Sequence, residues 1–264
     1  MICDFQPSAA ACSVLHLSPL LWLLLLLGPF LFLQRRLHYE VQAVLLLLTR
    51  REDISAALFA LLFFPGVLLH EGSHYLMAKL LRVPTGAFSL IPQSLDGNRL
   101  RLGFVETAPA DVLRDALIGM APLLTGGAFV AYAGVTRLGL LAVWDALARG
   151  NWAATLGALA ASYASPDFWL WFYLLLTVSS TMFPSPSDRR AWLPVAGTLA
   201  LIVALALLFG AGPWMSANLL PWLNRALQGV VIVFAISAAI HLAVWLPTWG
   251  LRLLLSRITG YDVV

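Results

Sequence analysis

Charge is scarce in this sequence. Asp, Glu, Lys and Arg make up 11% of the 264 residues, against roughly 25% in ordinary globular proteins. So few charges cannot solvate the surface of a soluble domain, and they equally exclude a polar linker or a disordered chain. Cysteine is scarcer still: Cys3 and Cys12 are the only two, both ahead of the first long apolar run. They supply neither a disulfide framework nor a thiolate metal site. A formal net charge of +3, scattered along the chain, excludes the electrostatic footprint of a nucleic-acid-binding protein. What is abundant is apolar surface, at 61% of residues against roughly 45–50% in soluble proteins. This is the composition of a multi-pass integral membrane protein whose main environment is the lipid bilayer, and a cell membrane is the expected location.

A helix needs about 20 mostly apolar residues to cross a bilayer. The apolar runs predict about six spans, over residues 17–33, 54–81, 116–136, 168–183, 192–210 and 226–255. The first is closed by Gln34-Arg35-Arg36, exceeds a signal-peptide core and has no charged segment before it, so it reads as a retained span. Residues 41–48, closed by Arg50-Arg51-Glu52-Asp53, are too short to cross alone and read as an interfacial or re-entrant piece. Residues 138–165, broken by Arg149-Gly150-Asn151, read as short surface or half-inserted helices. Three regions follow: an N-terminal span with its interfacial segment (1–53), a membrane core (54–210) and a C-terminal span (211–264).

Between the second and third spans, residues 86–91 and 99–105 flank Asp96-Gly97-Asn98, a turn signal. Leu100, Leu102 and Phe104 alternate with Arg99, Arg101 and Gly103, a period of two that predicts a hairpin with one apolar face. The alternative is an irregular loop. The expected fold is therefore an all-α polytopic membrane protein of about six transmembrane helices, with a small β-hairpin between the second and third.

The second span carries His70-Glu71-Gly72-Ser73-His74, a match to the H-E-x-x-H zinc pattern. On a helix, His70 and His74 share one face a turn apart, so two imidazoles can grip one ion while Glu71 projects beside them. Such a cluster in an apolar span costs about 2.5–3.5 kcal/mol per charge even on the lenient insertion scale, which argues for function. Catalytic zinc takes a third protein ligand and leaves a fourth position open. Asp96 in the predicted turn, Asp111 and Asp115 before the third span, and Asp188 after the fourth all compete. Asp188 is the choice, because Pro184 and Pro186 hold the chain extended and remove two N–H donors. Irregular backbone at membrane depth belongs where protein buries it or a cavity receives it.

On these residues the chain resembles the site-2 protease family of intramembrane zinc metalloproteases. The resemblance covers about residues 54–205. It rests on His70-Glu71-Gly72-Ser73-His74 within a span, on the β-like stretch and on the small-residue Gly119-Met120-Ala121-Pro122-Leu123. It ends with Pro184-Ser185-Pro186-Ser187-Asp188, which looks like the family's Asn-Pro-x-Pro-x-x-Asp-Gly element. The resemblance implies His70, His74 and Asp188 as ligands of Zn2+, Glu71 as catalytic base, and a membrane protein or transmembrane peptide as substrate. It departs from the family pattern in four places, the first being Ser73, still small, where the family usually has a glycine before the second histidine. Thr181, Met182 and Phe183 stand where the asparagine is expected, the spacing from Pro186 to Asp188 is one residue short, and Arg189 replaces the glycine. The expected function is zinc-dependent intramembrane peptide hydrolysis; the alternative is a degenerate, non-enzymatic relative that keeps the metal site as a structural or regulatory element.

Overall fold

The computed structural model describes residues 18–90, 93–95 and 99–261. Cys3, Cys12 and the Asp96-Gly97-Asn98 turn lie outside them.

Helix α1 runs Pro19–Thr49, with proline in its first turn, Ser18 at its N-cap and Arg50 closing it at φ 55°. These are ordinary start and stop devices. The expected break after residue 33 is absent: the first span and the 41–48 segment are one continuous 31-residue helix. Gln and Arg are good helix formers, so Gln34-Arg35-Arg36 interrupts the hydropathy without interrupting the hydrogen bonding. Arg35 and Arg36 point outward, Arg36 lying over the Phe32 ring, whereas Glu40 four residues on is buried.

Helix α2 spans Glu52–Leu80, with Glu52 and Asp53 in its first turn and Lys79 in its last, the charge order that complements the helix dipole. Its end folds back through Arg82 at φ 57° into the hairpin. Strand β1 (Thr85–Ser89) pairs antiparallel with β4 (Phe104–Thr107), Phe88 opposite Val105, and β2 (Gln93–Leu95) pairs with β3 (Arg99–Arg101). The predicted hairpin is present, divided into two short ladders, with an irregularity between Thr85 and Phe88 where Gly86 lowers the cost of a bulge.

Helix α3 (Val112–Tyr132) is capped by Asp111, whose side chain accepts the Arg114 N–H, and runs into a π-helical turn at Ala133–Arg137. Short helices α4 (Leu140–Ala148) and α5 (Trp152–Tyr163) follow, the second capped by Asn151. Then come α6 (Phe168–Thr181), α7 (Trp192–Leu208) and α8 (Gly212–Thr259).

Among the described residues four helices are long and apolar enough to cross a membrane by length and composition: α1, α2, α3 with its π turn, and α8. This corrects the expected six. Helices α6 and α7 are apolar but hold 14 and 17 residues, about 21 and 26 Å at 1.5 Å per residue, against a hydrocarbon core of about 30 Å. Helix α8, at 48 residues, extends about 72 Å and contains the predicted 226–255 span, because Pro221 and Arg225 fail to stop it.

Helix α2 packs between α3 and α6, and α8 lies along α1. Glycine makes the first of these contacts close: a Cβ on Gly66 of α2 would stand 2.2 Å from the Thr177 carbonyl oxygen of α6. The core brings together Phe30 (α1), Val130 (α3), Leu175, Val178 and Met182 (the α6 end) and Val233, Phe234 and Ile240 (α8). Across the α1–α8 seam, buried Glu40 is ion-paired with Arg252.

Candidate metal centre

Three elements meet at the middle of α2. From α2 itself, His70 and His74 face one another with Nε2 atoms 3.3 Å apart. Their other ring nitrogens are already committed: His70 Nδ1 lies 2.6 Å from the Thr181 carbonyl at the end of α6, and His74 Nδ1 lies 2.8 Å from the Ile118 carbonyl of α3. A carbonyl can only accept, so each Nδ1 carries the proton and each Nε2 presents a lone pair. Two lone pairs aimed at each other across 3.3 Å do not make a hydrogen bond. A cation could be held between them, and the Nδ1–H···O=C bond is the usual outer support of a metal-bound histidine.

The third element is the turn between α6 and α7. Helix α6 stops at Thr181 because Pro184 has no N–H to offer and pushes Phe183 out of helical backbone. The chain then curls on itself, and Asp188 Oδ2 accepts from the Ser185 backbone N–H at 2.7 Å and from the Ser185 hydroxyl at 2.6 Å. The carboxylate is turned toward the histidines, with Oδ1 3.5 Å from His74 Nε2 and Oδ2 3.9 Å from His70 Nε2. His70, His74 and Asp188 each offer a ligand atom within 4.8 Å of the others, a group that could hold a metal ion. A tetrahedral ion with bonds of about 2.0–2.1 Å separates its ligands by about 3.3–3.4 Å, close to the two shorter distances here. Two neutral imidazoles and one carboxylate carry one negative charge, which a divalent cation overcompensates.

Gly119 of α3 admits the turn to this depth, since a Cβ there would stand 1.9 Å from the Asp188 carbonyl oxygen. Asp115, one turn earlier on α3, holds Arg190 through two bonds of 2.8 and 2.9 Å, and this bonding raises the pKa of the guanidinium. The rival ligands are thereby accounted for: Asp111 caps α3 and Asp115 binds Arg190, while Asp96 lies outside the described residues.

Glu71 is half-buried beside the two histidines, and a Cβ on Gly103 would come 3.0 Å from its Cγ, so the junction between the two ladders of the hairpin rests directly on the motif. Near the site, the Thr181 hydroxyl donates back to the Thr177 carbonyl of its own helix. Sequence reasoning missed the carbonyls of Ile118 and Thr181, because main-chain acceptors leave no residue signature. It also missed Ser185 as the anchor of Asp188, although a serine three residues before an aspartate in a Pro-Ser-Pro-Ser run is a legible turn signal. Compared with family models, with curated proteins and with solved structures, the chain matches none of them.

Proposed function

We propose that this protein is a zinc-dependent endopeptidase of the cell membrane, of the site-2 protease type, that hydrolyses peptide bonds of membrane-spanning substrates. The observation that carries the reading is the pair of His70 and His74 Nε2 lone pairs converging with Asp188, with Glu71 on the same helix. His70, His74 and Asp188 would hold the ion, and a zinc ion there supplies Lewis acidity toward a water molecule and a peptide carbonyl.

The chain's own residues do the rest. Glu71 follows a ligand by one position, so its carboxylate sits beside the donor set. From there it takes the proton of the attacking water and returns it to the departing amine, leaving a carboxylate and an amine as products. The Thr181 and Ile118 carbonyls hold both imidazoles in the tautomer that leaves Nε2 unprotonated. Burial among α2, α3 and α6 limits bulk water. A membrane helix satisfies its own amides, so the substrate must unwind before a peptide bond is exposed. The hairpin next to Glu71 offers a strand edge for the unwound segment.

The test compares wild type with Glu71→Gln, both purified in detergent, for zinc content and for cleavage of single-span substrates. The variant is expected to retain about one zinc per chain and to lose roughly 10²–10⁴-fold in rate. Full activity in the variant, or loss of its metal, overturns the assignment of Glu71. His70→Ala and Asp188→Ala are each expected to lose stoichiometric zinc.

A second reading, a non-enzymatic relative that keeps the metal, is favoured by one observation. With its hydroxyl bonded to Thr177, Thr181 offers no amide donor where the family has its asparagine. Metal in both wild type and variant, with cleavage in neither, would select this reading.

A further inference from the structure

We infer that Gln34 of α1 and His241 of α8, acting through Ser180, position the metal ligand His70. This inference rests on the metal reading of the site above.

The end of α6 leaves carbonyls without intrahelical donors. The donor for the Ser180 carbonyl would be the N–H of residue 184, which is proline. The donor for the Thr181 carbonyl would be the Ser185 N–H, which Asp188 has taken. Both carbonyls are therefore available to other elements. Thr181 receives His70 Nδ1–H, and Ser180 receives the Gln34 side-chain amide. Ser180 is gripped a second time. His241 Nδ1 donates to the Ser237 carbonyl at 2.7 Å, so its Nε2 is an acceptor, and the Ser180 hydroxyl donates to it at 2.9 Å.

His241 and Ser237 are 0% exposed and Ser180 is 2% exposed. Polar side chains this deep in long apolar helices are costly unless fully bonded, and here the Gln34 amide and His241 Nε2 both bond Ser180, the residue before the one that orients His70. The two flanking helices, which carry no metal ligand, thus hold the α6 terminus from two sides. The acceptor that sets the tautomer and ring plane of His70 cannot drift while they do. Gln34, Ser180 and His241 are positioning residues.

The experiment uses the full chain in detergent micelles. It reads Zn2+ affinity by chelator competition and the visible absorption of the Co2+-substituted protein. His241→Ala, Ser180→Ala and Gln34→Met are each expected to weaken zinc binding by about tenfold, the lower end of what outer-support mutations cost, and to shift the cobalt bands. His241→Gln, which restores an acceptor for the Ser180 hydroxyl, is expected to recover most of the affinity. Phe234→Ala is the control: it removes a buried ring packed edge-on against Phe30 at 5.3 Å across the same seam but removes no hydrogen bond of the network. It should lower Tm and leave zinc affinity and cobalt spectrum unchanged.

Wild-type affinity in both His241→Ala and Gln34→Met overturns the inference, as does equal weakening by Phe234→Ala. If His241→Ala does not fold, Gln34→Met at wild-type affinity is sufficient to overturn it. A wild-type chain that binds no zinc fails at the earlier step, overturning the metal reading and this inference with it.

Discussion

Asp188 reaches the two histidines because neighbouring residues make room for it and hold it, and the relative weight of those contacts can be tested. Gly119 acts by what it lacks: a methyl group there would collide with the Asp188 carbonyl oxygen at 1.9 Å, backbone against side chain, with no flexible group to yield. Overpacking of this kind costs about 1–3 kcal/mol. Gly119→Ala should therefore lower Tm and weaken zinc binding by at least tenfold. Asp115 and Arg190 act by attraction, but the Arg190 side chain is 63% exposed. Such pairs contribute about 0–1 kcal/mol, and Asp115→Asn should change zinc affinity by less than about fivefold. Chelator competition on the two variants checks both numbers, and a larger effect from Asp115→Asn would reverse the ranking. The histidines, Glu71 and Asp188 were legible as letters in the sequence. Gly119 was legible only as a small residue suited to close packing, not as the floor under Asp188.

At the scale of elements, the hairpin is the part whose placement adds most to its prediction. Alternating apolar residues announced the strands. They did not announce that Gly103 would bring the β4 side of the hairpin against Glu71, because that contact joins positions 32 residues apart in the chain. Strands β1 and β4 form a two-stranded sheet, so each has an outer edge on which an extended peptide can pair by main-chain hydrogen bonds. In β1, the exposed Ala87 N–H donates to the Glu106 side chain at 3.3 Å, a side-chain bond that the carbonyl of an incoming strand would have to replace. Ala87→Pro removes that donor without touching His70, His74 or Asp188. It should slow cleavage of a single-span substrate while zinc content stays at the wild-type level. Unchanged cleavage would remove the hairpin edge from the mechanism.

At the scale of the whole molecule, α1 and α8 form a seam closed by Glu40 and Arg252, whose side chains are 3% and 18% exposed. Removing one partner of a buried pair leaves an uncompensated charge and costs about 3–5 kcal/mol, whereas replacing both with apolar residues is often neutral. Arg252→Met alone should sharply lower Tm, and Glu40→Leu with Arg252→Met should restore much of it. A double variant no more stable than the single one would mean that the pair does not act as a unit. The composition makes a broader prediction: alkaline carbonate should leave the protein in the membrane pellet, and its release to the aqueous phase would overturn the membrane architecture.

Composition by itself pointed to the membrane class, since charge is costly in hydrocarbon and this chain has little of it. Spacing by itself determined that His70 and His74 share a helix face, because that follows from 3.6 residues per turn. Only the tertiary structure decided where the helices end. Gln34-Arg35-Arg36 lowers hydropathy yet leaves the ladder of α1 intact, and hydropathy measures solvation whereas helix ends depend on caps, prolines and lost donors. The prolines before Asp188 had already singled it out, but only the tertiary structure showed what occupies its rivals. Asp111, Asp115 and Asp188 are alike as residues and are told apart by Arg114, Arg190 and Ser185, the partners that folding brings to each.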